Sequence, residues 1–119
     1  MNELAQQHCG PIGANTLRLN DYDVSQLKAK LPGWQMSKKD GELRLEKAFK
    51  FADFRNALAF TNQIAQLANE EDHHPSILTE WGKVTFFWWT HKIKGLHQND
   101  FIMAAKTEQL YGDRYASHS

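Results

Sequence analysis

"HHPSILTEWGKVTFFWWTH", His73 to His91, is the stretch whose reading decides the fold. Ser76–Trp81 and Lys83–His91 are rich in Ile, Val, Thr, Phe and Trp, side chains that fit a pleated, half-buried surface. Gly82 between them marks a tight reversal, so the stretch predicts a hairpin. In its second arm Val84, Phe86 and Trp88 fall on one face, and Thr85, Phe87, Trp89 and His91 on the other. Both faces are partly apolar and are predicted to meet something besides water.

Upstream, "FADFRNALAFTNQIAQLANEED" (Phe51–Asp72) has a helical period. Phe54, Ala57, Leu58, Thr61, Ala65 and Ala68 form one stripe, widened by Phe60, Ile64 and Leu67. Pro75 disfavours helical geometry at His74, so the helix ends just before the paired histidines. Further back, "WQMS" and "ELRLEKAFK" flank Asp40–Gly41, with Leu43, Leu45 and Phe49 at even spacing, a second hairpin signal. "NDYDVSQLKAKLPGW" predicts a short helix capped by Asp21 or Asp23, with Val24, Leu27 and Leu31 on one face and Pro32–Gly33 as its stop. Downstream, "KIKGL" reads as a loop and "HQNDFIMAAKTEQLYGDRY" as a closing helix with Asp100 in its first turn. Residues 1–20 show no sustained period and carry Gly10, Pro11 and Gly13, so they read as an N-terminal tail ahead of a domain over 21–115. The order α-β-β-α-β-β-α predicts an α+β fold: a single four-stranded antiparallel sheet with three helices on one face. Such a sheet leaves two edges and a second face open to self-association.

The composition suits one soluble domain: 119 residues, 41% apolar and 24% charged. Its 14 basic and 14 acidic side chains cancel, so net charge offers no support for a nucleic-acid or membrane partner. No apolar run approaches the roughly 20 residues of a membrane helix. "MNELAQQHCG" lacks the regions of a secretion signal, and Cys9 is the only cysteine, so a cytoplasmic location is expected. Ser25, Ser37 and Ser76 have no nucleophile motif around them, and no glycine-rich phosphate loop occurs.

The chemistry-bearing candidates are His73, His74 and His91, with Glu70, Glu71 and Asp72 nearby. Folding the hairpin at Gly82 brings His91 back toward the double histidine, so three imidazoles are predicted at one edge of the sheet. Imidazoles give and take protons near neutral pH, and Phe87 and Trp89 offer an apolar wall for a flat ring. The bland alternatives are a solvated helix end for the histidines and acids, and core or interface roles for the aromatics. A metal is disfavoured: adjacent histidines rarely both reach one ion, and neither HxH nor HExxH spacing is present. His8–Cys9 is too small a pair to hold one.

His73–His74–Pro75, then Trp81, His91 and Asp100, form an ordered set that resembles the pterin-4a-carbinolamine dehydratases. "KVTFFWWTHKIKGL" followed by "ND", "LPGW" (Leu31–Trp34) and "ALAFTN" (Ala57–Asn62) extend the likeness over about residues 20 to 112. Where the family usually has a charged residue four positions before the first histidine, this chain has Asn69, with Glu70 next. Where the family commonly has Ser or Thr to cap the last helix, it has His97. The resemblance implies dehydration of a 4a-hydroxytetrahydropterin to a quinonoid dihydropterin, which is recycled for aromatic amino-acid hydroxylases. It implies a homodimer or homotetramer. Loss of water needs two proton movements and no metal, redox cofactor or covalent intermediate, so no cofactor is expected beside the pterin substrate. His73, His74 and His91 become the catalytic candidates, with His73 as general acid, His91 as partner base or orienting group and His74 as a holder of the ring. Asp72, Pro75, Trp89, Thr90 and Lys92 join them as substrate-binding candidates. The rival from another class is a non-catalytic dimerisation module for a protein partner such as a transcription factor, since family members can act so.

Overall fold

The computed structural model describes residues 3–115. Its elements are α1 (Asp21–Lys28), β1 (Gln35–Lys39), β2 (Glu42–Lys50), α2 (Phe54–Glu71), β3 (Ser76–Glu80), β4 (Lys83–Trp88) and α3 (Gln98–Arg114), with short 3-10 turns at Glu3–Gln6 and His91–Ile93. The predicted α+β architecture is the one observed: one antiparallel sheet in the order β1-β2-β4-β3.

Local chemistry explains the hairpins. Asp40 and Gly41 sit at φ 53° and 81°, the left-handed pair of a two-residue turn whose twist matches the strands it joins. Lys39 then pairs with Glu42 across it. At the second turn Glu80 pairs with Lys83, and the register runs Ser76↔Phe87, Ile77↔Phe86. On the other side β2 meets β4 with Leu45↔Trp88 and Phe49↔Val84. Alternation therefore gathers Leu45, Phe49, Val84, Phe86 and Trp88 on one face, all buried, beside Ala57, Phe60, Ile64 and Ala68 of α2 and Phe101 and Ala104 of α3. Phe60 lies within ring contact of Phe49 at 5.6 Å and Phe86 at 5.5 Å. Burying each such side chain stabilises the fold by about 1.5–3 kcal/mol.

Three expectations are corrected. The cap of α1 is Asn20, whose Oδ1 accepts from the Asp23 backbone N–H at 2.8 Å; Asp21 and Asp23 sit in the first turn, where their charge suits the helix dipole. The stripe on α2 is narrower than its apolar period: Ala57, Phe60, Ile64 and Ala68 are its buried positions and Thr61 bonds Thr79 of β3, whereas Phe54 and Leu58 are over 40% exposed. The segment before residue 20 is docked, not loose. Leu4 and Ala5 are buried, and the Glu3–Gln6 turn packs on α3. Asn99 and Gly10 exchange two hydrogen bonds (2.9 and 2.8 Å), and the Cys9 N–H donates to Glu71 at 2.8 Å. Burial would raise the Glu71 carboxyl, but the Cys9 N–H and the His8 ring outweigh it and hold the pKa below the usual value.

No helix among the described residues is long and apolar enough to cross a membrane.

Candidate active site

The end of α2 aims the first histidine inward. Asp72 adopts the left-handed conformation (φ 53°, ψ 43°), and the N–H groups of Asp72 and His73 turn back onto the carbonyls of Asn69 and Ala68. This is a Schellman end with aspartate in the seat glycine usually takes. It swings His73 under the sheet, leaving the residue only 6% exposed. The strand register, extended in step from Ser76↔Phe87, sets residue 73 beside Thr90.

Both meet one carboxylate. Asp100 is 0% exposed, and its Oδ1 lies 2.6 Å from His73 Nε2. Its Oδ2 accepts from the Thr90 hydroxyl at 2.8 Å and from the His97 backbone N–H at 3.0 Å. A carboxylate only accepts, so His73 Nε2 carries the hydrogen and Nδ1 keeps its lone pair. Trp88 stacks parallel to the imidazole, centroids 6.1 Å apart and planes 9° off, so packing and hydrogen bonding both fix the ring. A buried charge needs such pairing, because an uncompensated one is strongly destabilising.

Asp100 also begins α3. His97 Nδ1 accepts from the Asn99 N–H at 3.0 Å, completing a cap in which imidazole replaces the family's hydroxyl. The helix start is well formed. Burial pushes the His97 pKa down, with Asp100 opposing and His73 assisting, which keeps the neutral, accepting form.

The other candidates have separate partners. His74 is exposed, with Nε2 3.1 Å from Asn69 Oδ1. Asn69 thus takes the position of the family's charged residue and reaches a histidine, whereas Glu70 faces Gln66 and Glu71 faces His8 and Cys9. His91 is open to solvent, its Nδ1 3.1 Å from Glu42. It shares a cleft of about 190 Å3 with Trp89, Ser76, Glu42 and Arg44. Lys92 reaches the Ile12 carbonyl at 3.3 Å; Asp72 is exposed and Pro75 half-buried. The three imidazoles share one end of the β3–β4 pair, but among the described residues no hydrogen bond joins any two of them. Glu42 and Arg44 were outside the sequence-based set. Their meeting with His91 and Trp89 depends on the β2–β4 register, a non-local pairing that no turn sets, since the Asp40–Gly41 turn fixes only β1 against β2.

The pterin 4 alpha carbinolamine dehydratase family pattern matches residues 17–110. The chain belongs to this family. It is a hydro-lyase, and its substrate class is the pterin carbinolamines. A Microcystis aeruginosa (strain NIES-843 / IAM M-2473) protein provisionally named pterin-4-alpha-carbinolamine dehydratase is 49% identical over 116 residues, covering 98% of this dehydratase and all of that protein. A solved Brucella melitensis structure, described as a transcriptional coactivator/pterin dehydratase, superposes with a TM-score of 0.70 at 33% identity, covering 78% of this chain and 97% of that one. A pterin dehydratase-like protein identified as a RuBisCO assembly factor in the alpha-carboxysome shares the fold, with a TM-score of 0.56 at 23% identity over 67% of this chain and 90% of that one.

Proposed function

We propose that this dehydratase removes water from a 4a-hydroxytetrahydropterin in the recycling of a tetrahydropterin used by an aromatic amino-acid hydroxylase, without a cofactor. In the step, an imidazolium gives a proton to the 4a-hydroxyl and the C4a–O bond breaks, its electron pair leaving with water. A neutral imidazole takes the N5 proton, and the N5–H electrons close the C4a=N5 bond of the quinonoid product. His73 is the acid, with the Asp100 charge 2.6 Å away to balance its imidazolium. His91 is the base and His74 holds the ring, with Asp72, Pro75, Trp89, Thr90 and Lys92 around it.

The observation that carries this reading is the buried His73–Asp100–Thr90 network, which holds one imidazole in a fixed orientation beside a balancing charge. The test is the dehydration rate of enzymatically generated 4a-hydroxytetrahydropterin, followed by ultraviolet absorbance, for the wild type and His91→Ala. His91 is exposed, so this variant should fold normally, and its rate is expected to fall by about 10²–10⁴-fold. A folded variant as fast as the wild type would remove His91 from the chemistry.

A further inference from the structure

The β1–β2 hairpin brings two charged side chains to the His91 cleft. Glu42 follows the Asp40–Gly41 turn directly and places its carboxylate 3.1 Å from His91 Nδ1, across 49 positions of sequence. Because a carboxylate only accepts, the hydrogen sits on Nδ1 and Nε2 keeps its lone pair. The two partners differ in environment: the Glu42 side chain is 14% exposed and that of His91 is 78% exposed. The ring is therefore anchored from inside and presented outward.

Arg44 lies two residues further along the same face. Its guanidinium carbon is 4.4 Å from the Phe87 ring centroid and 5.3 Å from that of Trp89, within cation–π range of both. Its Nε is buried and, among the described residues, has no hydrogen-bond partner. Of the two acidic residues two positions away on that face, Glu42 and Glu46, Glu42 faces His91 instead. Aromatic faces hold the group while leaving its fork of N–H donors uncommitted, and a buried donor without an acceptor is costly. Arg44, Glu42, Trp89, Ser76 and His91 line the same cleft.

We infer that the β1–β2 hairpin completes the pterin cleft: Glu42 fixes His91 in the tautomer whose Nε2 takes the ring proton, and Arg44 donates to the C4 carbonyl, the acceptor beside the carbon that loses water. This rests on the dehydration reading above. Glu42 is a positioning residue that acts through His91, so its effect falls on kcat. Arg44 binds an atom present in both substrate and transition state, so its effect falls on KM.

Steady-state dehydration by the full chain tests both halves. Arg44→Met is expected to raise KM by about tenfold or more, the loss of a charge-assisted hydrogen bond, with kcat little changed. Arg44→Lys should recover only part of this, because an ammonium lacks the planar fork. Glu42→Ala is expected to lower kcat by about tenfold or more at nearly constant KM. Nitrogen-15 NMR of neutral His91 should show Nδ1–H in the wild type and a shift toward Nε2–H in Glu42→Ala. An unchanged KM in Arg44→Met, or an unchanged kcat and tautomer in Glu42→Ala, would overturn the inference and leave a surface ion pair and a capped aromatic face. Calorimetry with tetrahydropterin separates this failure from that of the dehydration reading. A wild type that binds the pterin, with binding lost in Arg44→Met, supports the cleft even where dehydration is not accelerated. Equal binding by both, or by neither, overturns it.

Discussion

Asp100→Asn replaces one carboxylate oxygen by an amide nitrogen and alters both the proton inventory and the stability of the site. The remaining carbonyl oxygen can still accept from Thr90 and from the His97 N–H, which converge on one side of the carboxylate at 2.8 and 3.0 Å. The new NH2 then faces His73, where a donor meets a donor unless the ring changes tautomer. His73 Nε2 gives up its hydrogen, and Nδ1 becomes N–H. Without the balancing negative charge the imidazolium also loses its partner. The dehydration rate is therefore expected to fall by about 10²–10⁴-fold, the usual weight of a positioned acid or base. Three hydrogen bonds to a charged acceptor are worth about 1.5–3 kcal/mol each against about 0.5–1.5 kcal/mol for neutral ones. Losing roughly 1 kcal/mol at each gives about 3 kcal/mol of destabilisation, which a domain of ordinary stability survives. Urea denaturation gives the second number and the absorbance assay the first. A folded Asp100→Asn protein that dehydrates at the wild-type rate would refute the assignment of His73 to proton transfer.

Three further outcomes are expected. Burial lowers the His97 pKa below its ordinary 6.5, so the cap's contribution is complete above that pH and declines as pH falls through the window below it; His97→Ser should shrink the difference in Tm between pH 7.5 and pH 5.5, and an unchanged difference would count against the cap. Burial, then the Glu71 and Asp100 charges, push the Cys9 thiol up to about 12, so iodoacetamide should label it far more slowly at pH 8 in the native protein than in urea; equal rates would mean that the N-terminal segment is undocked. Phe60→Ala should cost about 3–5 kcal/mol, because the ring is fully buried among Phe49, Phe51, Phe86, Tyr111 and Tyr115, and a loss under 1 kcal/mol in a urea titration would contradict that packing.

Much of the fold was legible because its signals are local. Asp40–Gly41 names its own turn, the alternation from Val84 to Trp88 names its buried face, and Pro75 ends a helix whose period is unbroken for five turns. The docking of residues 3–19 was hidden because one Leu4–Ala5 pair and a few backbone hydrogen bonds leave no period to detect. Phe54 and Leu58 misled for the opposite reason: they carry the period but are not among the buried positions of α2. At the site, adjacency of His73 and His74 suggested a shared task. The left-handed turn at Asp72 instead sends His73 to a buried carboxylate 27 residues away and leaves His74 at the surface on Asn69. Asp100 stood in the family pattern as a helix starter, and only its burial between Thr90 and His73 shows the second use of its carboxylate. A corollary is that His73→Ala is not neutral for stability, since it strips one of the three donors from a buried charge.

The most direct measurement is the dehydration of freshly generated 4a-hydroxytetrahydropterin with and without the purified full chain, at matched pH and buffer, with folding verified by circular dichroism. The rate is expected to rise in proportion to protein concentration and to saturate with substrate. A folded protein that leaves the spontaneous rate unchanged would contradict it.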